Sequence, residues 1–401
     1  MTETPVPEVE ITPARVQTRR ERLWEYVLAC LKIGATSFGA PTAHIAMMEY
    51  EFVQKHKWIT EDELLEMLAA ANIVPGPNAS ELCYHVGYRR AGYPGLILGG
   101  LAFITPSYLS AVIMGILYLK FGSLPQVEDL FYVLNPLVLA IILDTTWRIS
   151  KSSFQNWKQF VIFGLAILAK ILGLNEVLIL LGTGALGIAL HHDFKNQKGN
   201  GAPGLMALMP FAPLLGWAAR QWAIWENKTV QIFLYFLKTG AVMFGSAMVL
   251  FALIEKDITQ RFGWMSLQQL TDSIAVGQIT PGPVTSSSAF IGFLVGGFPG
   301  SLAAMIGVFL PSFIIVMITA PLLDKMRESV LAKSFLKGVN AGVVALILAV
   351  VVVLGQNALF DVWTVLLLAL GLFALMKLKL QPYALVLFGL ALGLLRVFVL
   401  K

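Results

Sequence analysis

Two Pro-Gly-Pro triplets are the residues whose types and spacing point most clearly to chemistry. Pro75-Gly76-Pro77 and Pro281-Gly282-Pro283 each interrupt a run that is otherwise apolar enough to cross a membrane. Proline removes a backbone donor and glycine permits an irregular bend. Such a break persists in a bilayer only where it faces protein or a watery cavity. The second proline of each triplet suits the first turn of a new half-helix, whose exposed N–H groups favour an anion.

Small polar residues follow both triplets. Asn78 and Ser80 come after the first triplet, and Thr285 and Ser286 come after the second. Their amide and hydroxyl groups can bind an oxyanion without a buried lysine. The alternative is a pair of packing kinks with no ligand. Because the triplet is duplicated at matching depth, we expect both half-helix ends to form one substrate-binding site near the membrane midplane.

A second pair of breaks lies upstream of each triplet. The first contains Phe38 and Gly39, and the second contains Phe244 and Gly245. These glycines either belong to the site or allow close helix packing. His44 follows the first break, where it either contacts substrate or is a hydrogen-bonded packing residue.

Charged residues at membrane depth are costly and are therefore functional candidates. Lys32 and Lys238 occupy equivalent positions in the two halves, as do Glu66 and Asp272. We expect the lysines to attract a dianion and the acids to carry a coupling proton. The alternatives are lysines that extend to the membrane surface and acids that cap helix ends.

The composition is that of an integral membrane protein. Hydrophobic residues make up 57% of 401 positions, charged residues make up 13%, and the mean hydropathy is +0.74. A soluble chain of this length would carry about twice that charge. The sequence has no metal-binding, nucleotide-binding or hydrolase motif. We therefore expect no enzyme activity, no cofactor, no metal site and no nucleic-acid partner, and the lipid bilayer is the expected surrounding.

An internal duplication organises the chain. Residues 31–80 align with 237–286 without a gap, and about a third of these positions are identical. Further on, Gly92, Pro106 and Asn135 match Gly297, Pro311 and Asn340. Aligned proline, glycine and tryptophan residues are not expected from two unrelated apolar runs.

The predicted fold is an all-α polytopic membrane protein with two inverted homologous repeats, broken helices and about 13 transmembrane segments. Each half holds six apolar segments, and a weaker one at 203–219 lies between them. With thirteen spans and a cytoplasmic N-terminus, 18 basic residues face inside and eight face outside, as the positive-inside rule requires. The predicted parts are a cytoplasmic tail at 1–22, repeats at 23–200 and 226–401, and a linking segment at 201–225. The sequence leaves open whether this linking segment spans the membrane.

Two blocks of sequence resemble the chromate ion transporter (CHR) family. The first begins at Leu31-Lys32-Ile33-Gly34 and runs through Ser37-Phe38-Gly39-Ala40-Pro41 to Glu49. The second is Ile73-Val74-Pro75-Gly76-Pro77-Asn78-Ala79, followed by Gly92-Tyr93-Pro94-Gly95. Because the second half repeats the domain, the chain resembles the long, two-domain members. One departure is Gly245-Ser246, where the family motif has Gly-Gly-Pro or Gly-Ala-Pro.

This resemblance implies export of chromate across the inner (plasma) membrane, driven by the proton-motive force as in an antiporter, with sulfate as a structural analogue. A carrier for sulfate or another small anion is the first alternative. A membrane scaffold subunit without transport is the second, although broken spans give a scaffold no advantage. The sequence leaves open whether the protein forms a homodimer.

Overall fold

The computed structural model describes residues 18–38, 41–122, 124–191, 226–322 and 330–399. Within these ranges the chain is almost entirely helical, and the only strands are two segments of two residues. The predicted linking segment at 201–225, most of the predicted tail at 1–22, and Gly39 lie outside the described residues.

In the described residues of the first half there are eight helices and one short strand. Their bounds are α1 Arg19–Thr36, α2 Pro41–Met48, α3 Glu61–Ala71, β1 Gly76–Pro77, α4 Asn78–Ala91, α5 Tyr93–Phe121, α6 Pro125–Ser153, α7 Trp157–Ile171 and α8 Glu176–His191. Helix α2 continues into a wider π-helical turn at Glu49–Lys55.

The second half repeats this order. Its elements are α9 Lys228–Val242, β2 Phe244–Gly245, α10 Met248–Lys256, α11 Leu267–Ile279, α12 Ser287–Thr319, α13 Val330–Ala358, α14 Val362–Met376 and α15 Pro382–Val399. A π-helical turn again follows α10, at Asp257–Arg261. A short 3₁₀ turn at Val284–Ser286 precedes α12. Helix α12 corresponds to α4 and α5 together, and it bends where Gly297 adopts a φ of 62°.

Local sequence explains why equivalent helices begin at equivalent residues. Thr60 caps α3 by accepting from the N–H of Glu63, and Ser266 caps α11 through Gln269 in the same way. A polar side chain at this position satisfies an N–H group that the helix cannot. The duplication therefore preserves the signals that set the helix ends as well as the apolar runs.

The two halves are interlocked. Helix α6 of the first half packs against α14 and α15 of the second, while α13 packs against α7 and α8. Gly187 of α8 and Gly338 of α13 allow this close approach, since a methyl group on Gly187 would lie 2.7 Å from the backbone nitrogen of Gly338. Helices α14 and α15 of the second half thus cover α6 of the first half, and α7 and α8 of the first half cover α13 of the second. The core is therefore formed by both halves together.

Long apolar helices make this a multi-pass membrane protein. Among the described residues, four helices are long and apolar enough to cross a bilayer: Tyr93–Phe121, Val127–Ser153, Val284–Thr319 and Val330–Ala358. Large hydrophobic side chains such as Leu119, Phe160 and Leu370 are exposed on the outside of the helix bundle. A bilayer accounts for such a surface, which water does not. The count of thirteen spans and the inversion of the repeats stay predictions.

Candidate functional site

The upstream break of the second half pairs with the Pro-Gly-Pro triplet of the first half. Strand β1 runs parallel to β2, with Gly76 opposite Phe244 and Pro77 opposite Gly245. Pro75 also bridges Phe244. The predicted triplet and the predicted upstream break therefore meet across the two halves.

The reciprocal pairing joins the other two breaks. Phe38 bridges Pro281, and the N–H of Gly282 donates to the backbone oxygen of Ser37 at 2.7 Å. The freed backbone groups of one half are thus partly satisfied by the other half. This is the environment that irregular backbone requires at membrane depth.

Glycine is required at the centre of each triplet. Gly76 has a φ of 150° and Gly282 has a φ of 86°, conformations that other residues rarely adopt. A methyl group on Gly282 would lie 2.8 Å from Cβ of Ser107, and one on Gly76 would lie 2.5 Å from Cβ of Ser312. Ser107 and Ser312 are equivalent residues of α5 and α12. Each triplet therefore presses against a long helix of the other half.

A small cavity lies between the two half-helix ends. Its volume is about 20 Å³, which is room for about one water molecule. Residues from both halves line it: His44, Pro77, Asn78, Ala79, Gly245, Ala247, Pro283, Val284 and Thr285. Six of these nine residues are predicted site residues, namely His44, Pro77, Asn78, Gly245, Pro283 and Thr285.

The lining offers hydrogen-bond donors and carries no lysine or arginine. Pro77 gives α4 no side-chain cap, and the first N–H groups of a helix have no partner within it. Thr285 is fully buried, and its hydroxyl has no hydrogen-bond partner within the described ranges. His44 is also buried, and its ring packs edge-on against Phe103 at 5.8 Å between centroids. Two helix N-termini and a hydroxyl group can together bind a small anion.

Ser286 and Ser80 lie beside the cavity without lining it. The hydroxyl of Ser286 is 2.7 Å from that of Ser107, so it connects the two halves. Ser80 is fully buried in the first turn of α4. Both were predicted to contact the anion, and the structure places them one layer behind the lining.

The two predicted lysines lie in ion pairs away from the cavity. Lys32 contacts Glu51 at 2.5 Å, and Lys238 lies 3.7 Å from Asp257. Glu51 and Asp257 are equivalent residues, and each also pairs with a second cation, Lys55 or Arg261. This duplicated arrangement of charges holds the π-helical turns to the first helix of each half.

The two predicted acids differ in environment. Asp272 is buried and accepts hydrogen bonds from Tyr118 at 2.7 Å, Asn135 at 3.1 Å and Gln268 at 2.9 Å. It borders a second, larger cavity of about 460 Å³. Glu66 is only partly buried on α3. Neither residue lines the small cavity.

Sequence reasoning missed three residues at the site. Ser107 and Ser312 were visible as part of the repeated Pro-Ser pair, but a serine inside a long apolar segment gave no sign of its contact with a distant glycine. Glu81 is fully buried beside Gly76. A charged residue four positions after Pro77 was a detectable signal. Comparison of the halves passed over it because the equivalent residue is Ser287.

Several known proteins are similar in sequence to this chain over most of its length. A protein of Synechococcus elongatus named as a probable chromate transport protein is 35% identical over 353 residues, 86% of this chain and 87% of its own. The chromate transport protein of Cupriavidus metallidurans is 30% identical over 359 residues, 89% of this chain and 88% of its own. That of Pseudomonas aeruginosa is 31% identical over 334 residues, 81% and 79% of the two chains. No solved structure matches the chain.

The family profile for chromate transporters matches twice, at residues 24–188 and 230–394. The two matches coincide with the two halves that the repeat defines, and both contain the breaks around the small cavity. The resemblance seen in the sequence is therefore confirmed. This is a family of transport proteins and not of enzymes. The chain belongs to the chromate transporter family, in the long form that carries two copies of the family domain.

Proposed function

We propose that this protein exports chromate across the cytoplasmic membrane, driven by the proton-motive force, and binds the anion between the two half-helix ends. The observation that carries the proposal is the small cavity, lined from both halves by helix N-termini and uncharged donors. Relatives named as chromate transport proteins support the choice of anion. The proposed binding residues are Asn78 and Thr285, together with the backbone N–H groups that follow Pro77 and Pro283.

The size of the cavity indicates that the described conformation is closed. A tetrahedral oxyanion needs several times the space of the single water that fits. Binding must therefore move the half-helix ends apart. A relative movement of the two interlocked halves would open the site to one side at a time, as in other carriers built from repeats.

Sulfate is the second candidate substrate. The lining would recognise a tetrahedral dianion by its charge and hydrogen-bond acceptors, and sulfate has the same shape and charge. Uptake of labelled chromate and of labelled sulfate into inverted membrane vesicles, with and without an imposed membrane potential that is positive inside the vesicles, separates the two. Chromate uptake that depends on this potential supports the proposal. Uptake of sulfate alone assigns the site to sulfate, and uptake of neither anion contradicts a transport function.

We expect the N-terminus to be cytoplasmic and the C-terminus to face outside. This follows from thirteen spans and from the excess of basic residues in the loops assigned to the inside. Reporter fusions after residue 200 and after Lys401 should report opposite sides of the membrane. Reporters on the same side would contradict both the span count and the proposed inversion of the repeats.

We expect Asp272→Asn to lower the stability of the protein more than it changes the pH dependence of transport. An amide has one acceptor oxygen, so it cannot accept all three hydrogen bonds that converge on Asp272. Two of these come from the first half. Loss of one of these hydrogen bonds should lower the free energy of unfolding by about 1–3 kcal/mol.

Thermal unfolding in detergent and the pH profile of transport measure the two effects of this substitution. Asp62→Asn, the same substitution at an exposed aspartate of α3, is the control and should change neither. A flattened pH profile at unchanged stability would instead support the proton-carrying role that the sequence predicts for Asp272.

A further inference from the structure

Glu81 is a buried acid that is not among the proposed anion-binding residues. It lies in the first turn of α4, three residues after Asn78, and its side chain is fully buried. Neither of its carboxyl oxygens has a hydrogen-bond partner in the described part of the chain. A buried polar group that lacks a partner is rare in folded proteins and calls for a functional explanation.

The carboxyl group lies against the break of the first half. A methyl group added to Gly76 would collide with Oε1 of Glu81. Gly76 is followed directly by Pro77, which lines the small cavity. Helical side chains lean toward the helix N-terminus. Glu81 therefore holds its carboxyl group at the positive end of α4, where the anion is proposed to bind.

Among the described residues, no permanent cation pairs with this acid. Ser312 of α12 lies on the other side of Gly76, and its hydroxyl donates to the backbone oxygen of Phe309 at 2.9 Å. His85, one turn further along α4, is also buried, and both its ring nitrogens lack partners among the described residues. The other buried titratable side chains on α4 and on the helices packed against it are Tyr84 and Cys83 on α4, His44 on α2, and Tyr26 and Cys30 on α1.

The second half has no such acid. Its equivalent residue is Ser287, whose hydroxyl donates to the backbone oxygen of Val284 at 2.7 Å. Of the two half-helix ends, only the one that begins α4 carries a carboxyl group in its first turn. The otherwise symmetric site thus has a single titratable acid at its edge.

We propose that Glu81 carries the proton that is coupled to transport and is protonated whenever an anion occupies the cavity. The inference rests on the proposed function. An ionised Glu81 and a dianion would occupy the same positive helix end and repel each other. Protonation removes this repulsion.

In this scheme the proton travels with the anion. The Glu81 carboxylate gains a proton on the side where the anion enters, and the carboxylic acid releases it on the side where the anion leaves. One proton and one dianion together carry a single negative charge. The membrane potential, which is negative inside, therefore drives the complex outward, whereas the pH gradient opposes it. The scheme is a cotransport powered by the electrical part of the proton-motive force, and it differs from the antiport that the family resemblance implies.

The test measures sulfate and chromate binding to the purified protein in weakly buffered detergent solution, with a pH indicator present. Sulfate is included because it stays doubly charged at every pH used, whereas chromate takes up a proton itself near neutral pH. For the wild type we expect proton uptake on sulfate binding and an affinity that rises up to about tenfold for each unit of falling pH. Glu81→Gln, which resembles the protonated acid, should bind with an affinity independent of pH and without proton uptake.

Glu81→Asp should keep the proton uptake, and Glu61→Gln, at an exposed glutamate of α3, is the control that should behave as the wild type does. The same pH dependence in Glu81→Gln as in the wild type would overturn the inference. So would anion binding to the wild type without proton uptake, a result that needs no variant to fold. If the wild type binds neither anion, the proposed function falls and the inference falls with it.

Discussion

Replacing Gly282 by alanine should abolish transport and strongly reduce the amount of folded protein in the membrane. The substitution forces alanine into a φ of 86°, at a cost of about 1–2 kcal/mol. Its methyl group would lie 2.8 Å from Cβ of Ser107 and 3.1 Å from the backbone oxygen of Gly34. Such overpacking costs about 1–3 kcal/mol more. Gly76→Ala should behave likewise, because its methyl group would collide with the Glu81 carboxyl group.

Two other glycines separate the possible causes of this loss. Gly245 has a φ of 80° but open space around its α carbon, so the membrane abundance of Gly245→Ala reports the conformational cost alone. Its transport rate also reports the methyl group that it adds to the lining of the small cavity. Gly182 lies in the helix α8 and also has open space, so Gly182→Ala should be neutral or slightly stabilising. Membrane abundance and initial transport rates measure the series. Normal abundance and transport in Gly282→Ala would show that the triplets are not pressed against the opposite half.

Replacing Thr285 by valine should stabilise the protein and weaken anion binding at least tenfold. The two side chains have nearly the same shape, and the buried hydroxyl of Thr285 has no partner in the structure as described. Removing it relieves a cost of about 1–3 kcal/mol in the free protein. The same hydroxyl should donate a hydrogen bond to the bound anion. Such a bond to a charged group is worth about 1.5–3 kcal/mol, and 1.4 kcal/mol is about a factor of ten in affinity.

The opposite signs of these two effects distinguish a binding residue from a structural one. Thr319 is a buried threonine far along α12, and its hydroxyl donates to the backbone oxygen of Ile315 at 2.8 Å. Thr319→Val should lower the thermal unfolding temperature and leave anion affinity unchanged. If Thr285→Val keeps wild-type affinity in equilibrium binding, the Thr285 hydroxyl does not contact the anion.

Much of the fold could be predicted because its signals are local or repeated. Proline and glycine mark the triplets wherever they occur, and the caps at Thr60 and Ser266 set helix starts within three residues. The duplication then showed that the two halves share one plan. The family assignment rested on the same residues, and the comparisons confirm it.

The contacts between distant breaks could not be predicted from the sequence. Nothing local indicates that Gly76 pairs with Phe244 of the other half rather than with Phe38 of its own. The role suggested for Lys32 and Lys238 depended on their being without a partner within the membrane. The partners, Glu51 and Asp257, lie 19 residues further along and are brought back by the turn after α1 or α9. Comparing halves also favoured residues that both copies share, so it passed over Glu81.

The position of a bound anion tests the central claim most directly. A structure of the protein with chromate, in which anomalous scattering locates the chromium, would show where the anion lies. We expect one chromium peak between Pro77 and Pro283, with its oxygens within hydrogen-bond distance of Thr285 and of the first N–H groups of α4. A peak beside Lys32 or Lys238, or in the cavity next to Asp272, with none between the two triplets, would contradict the account.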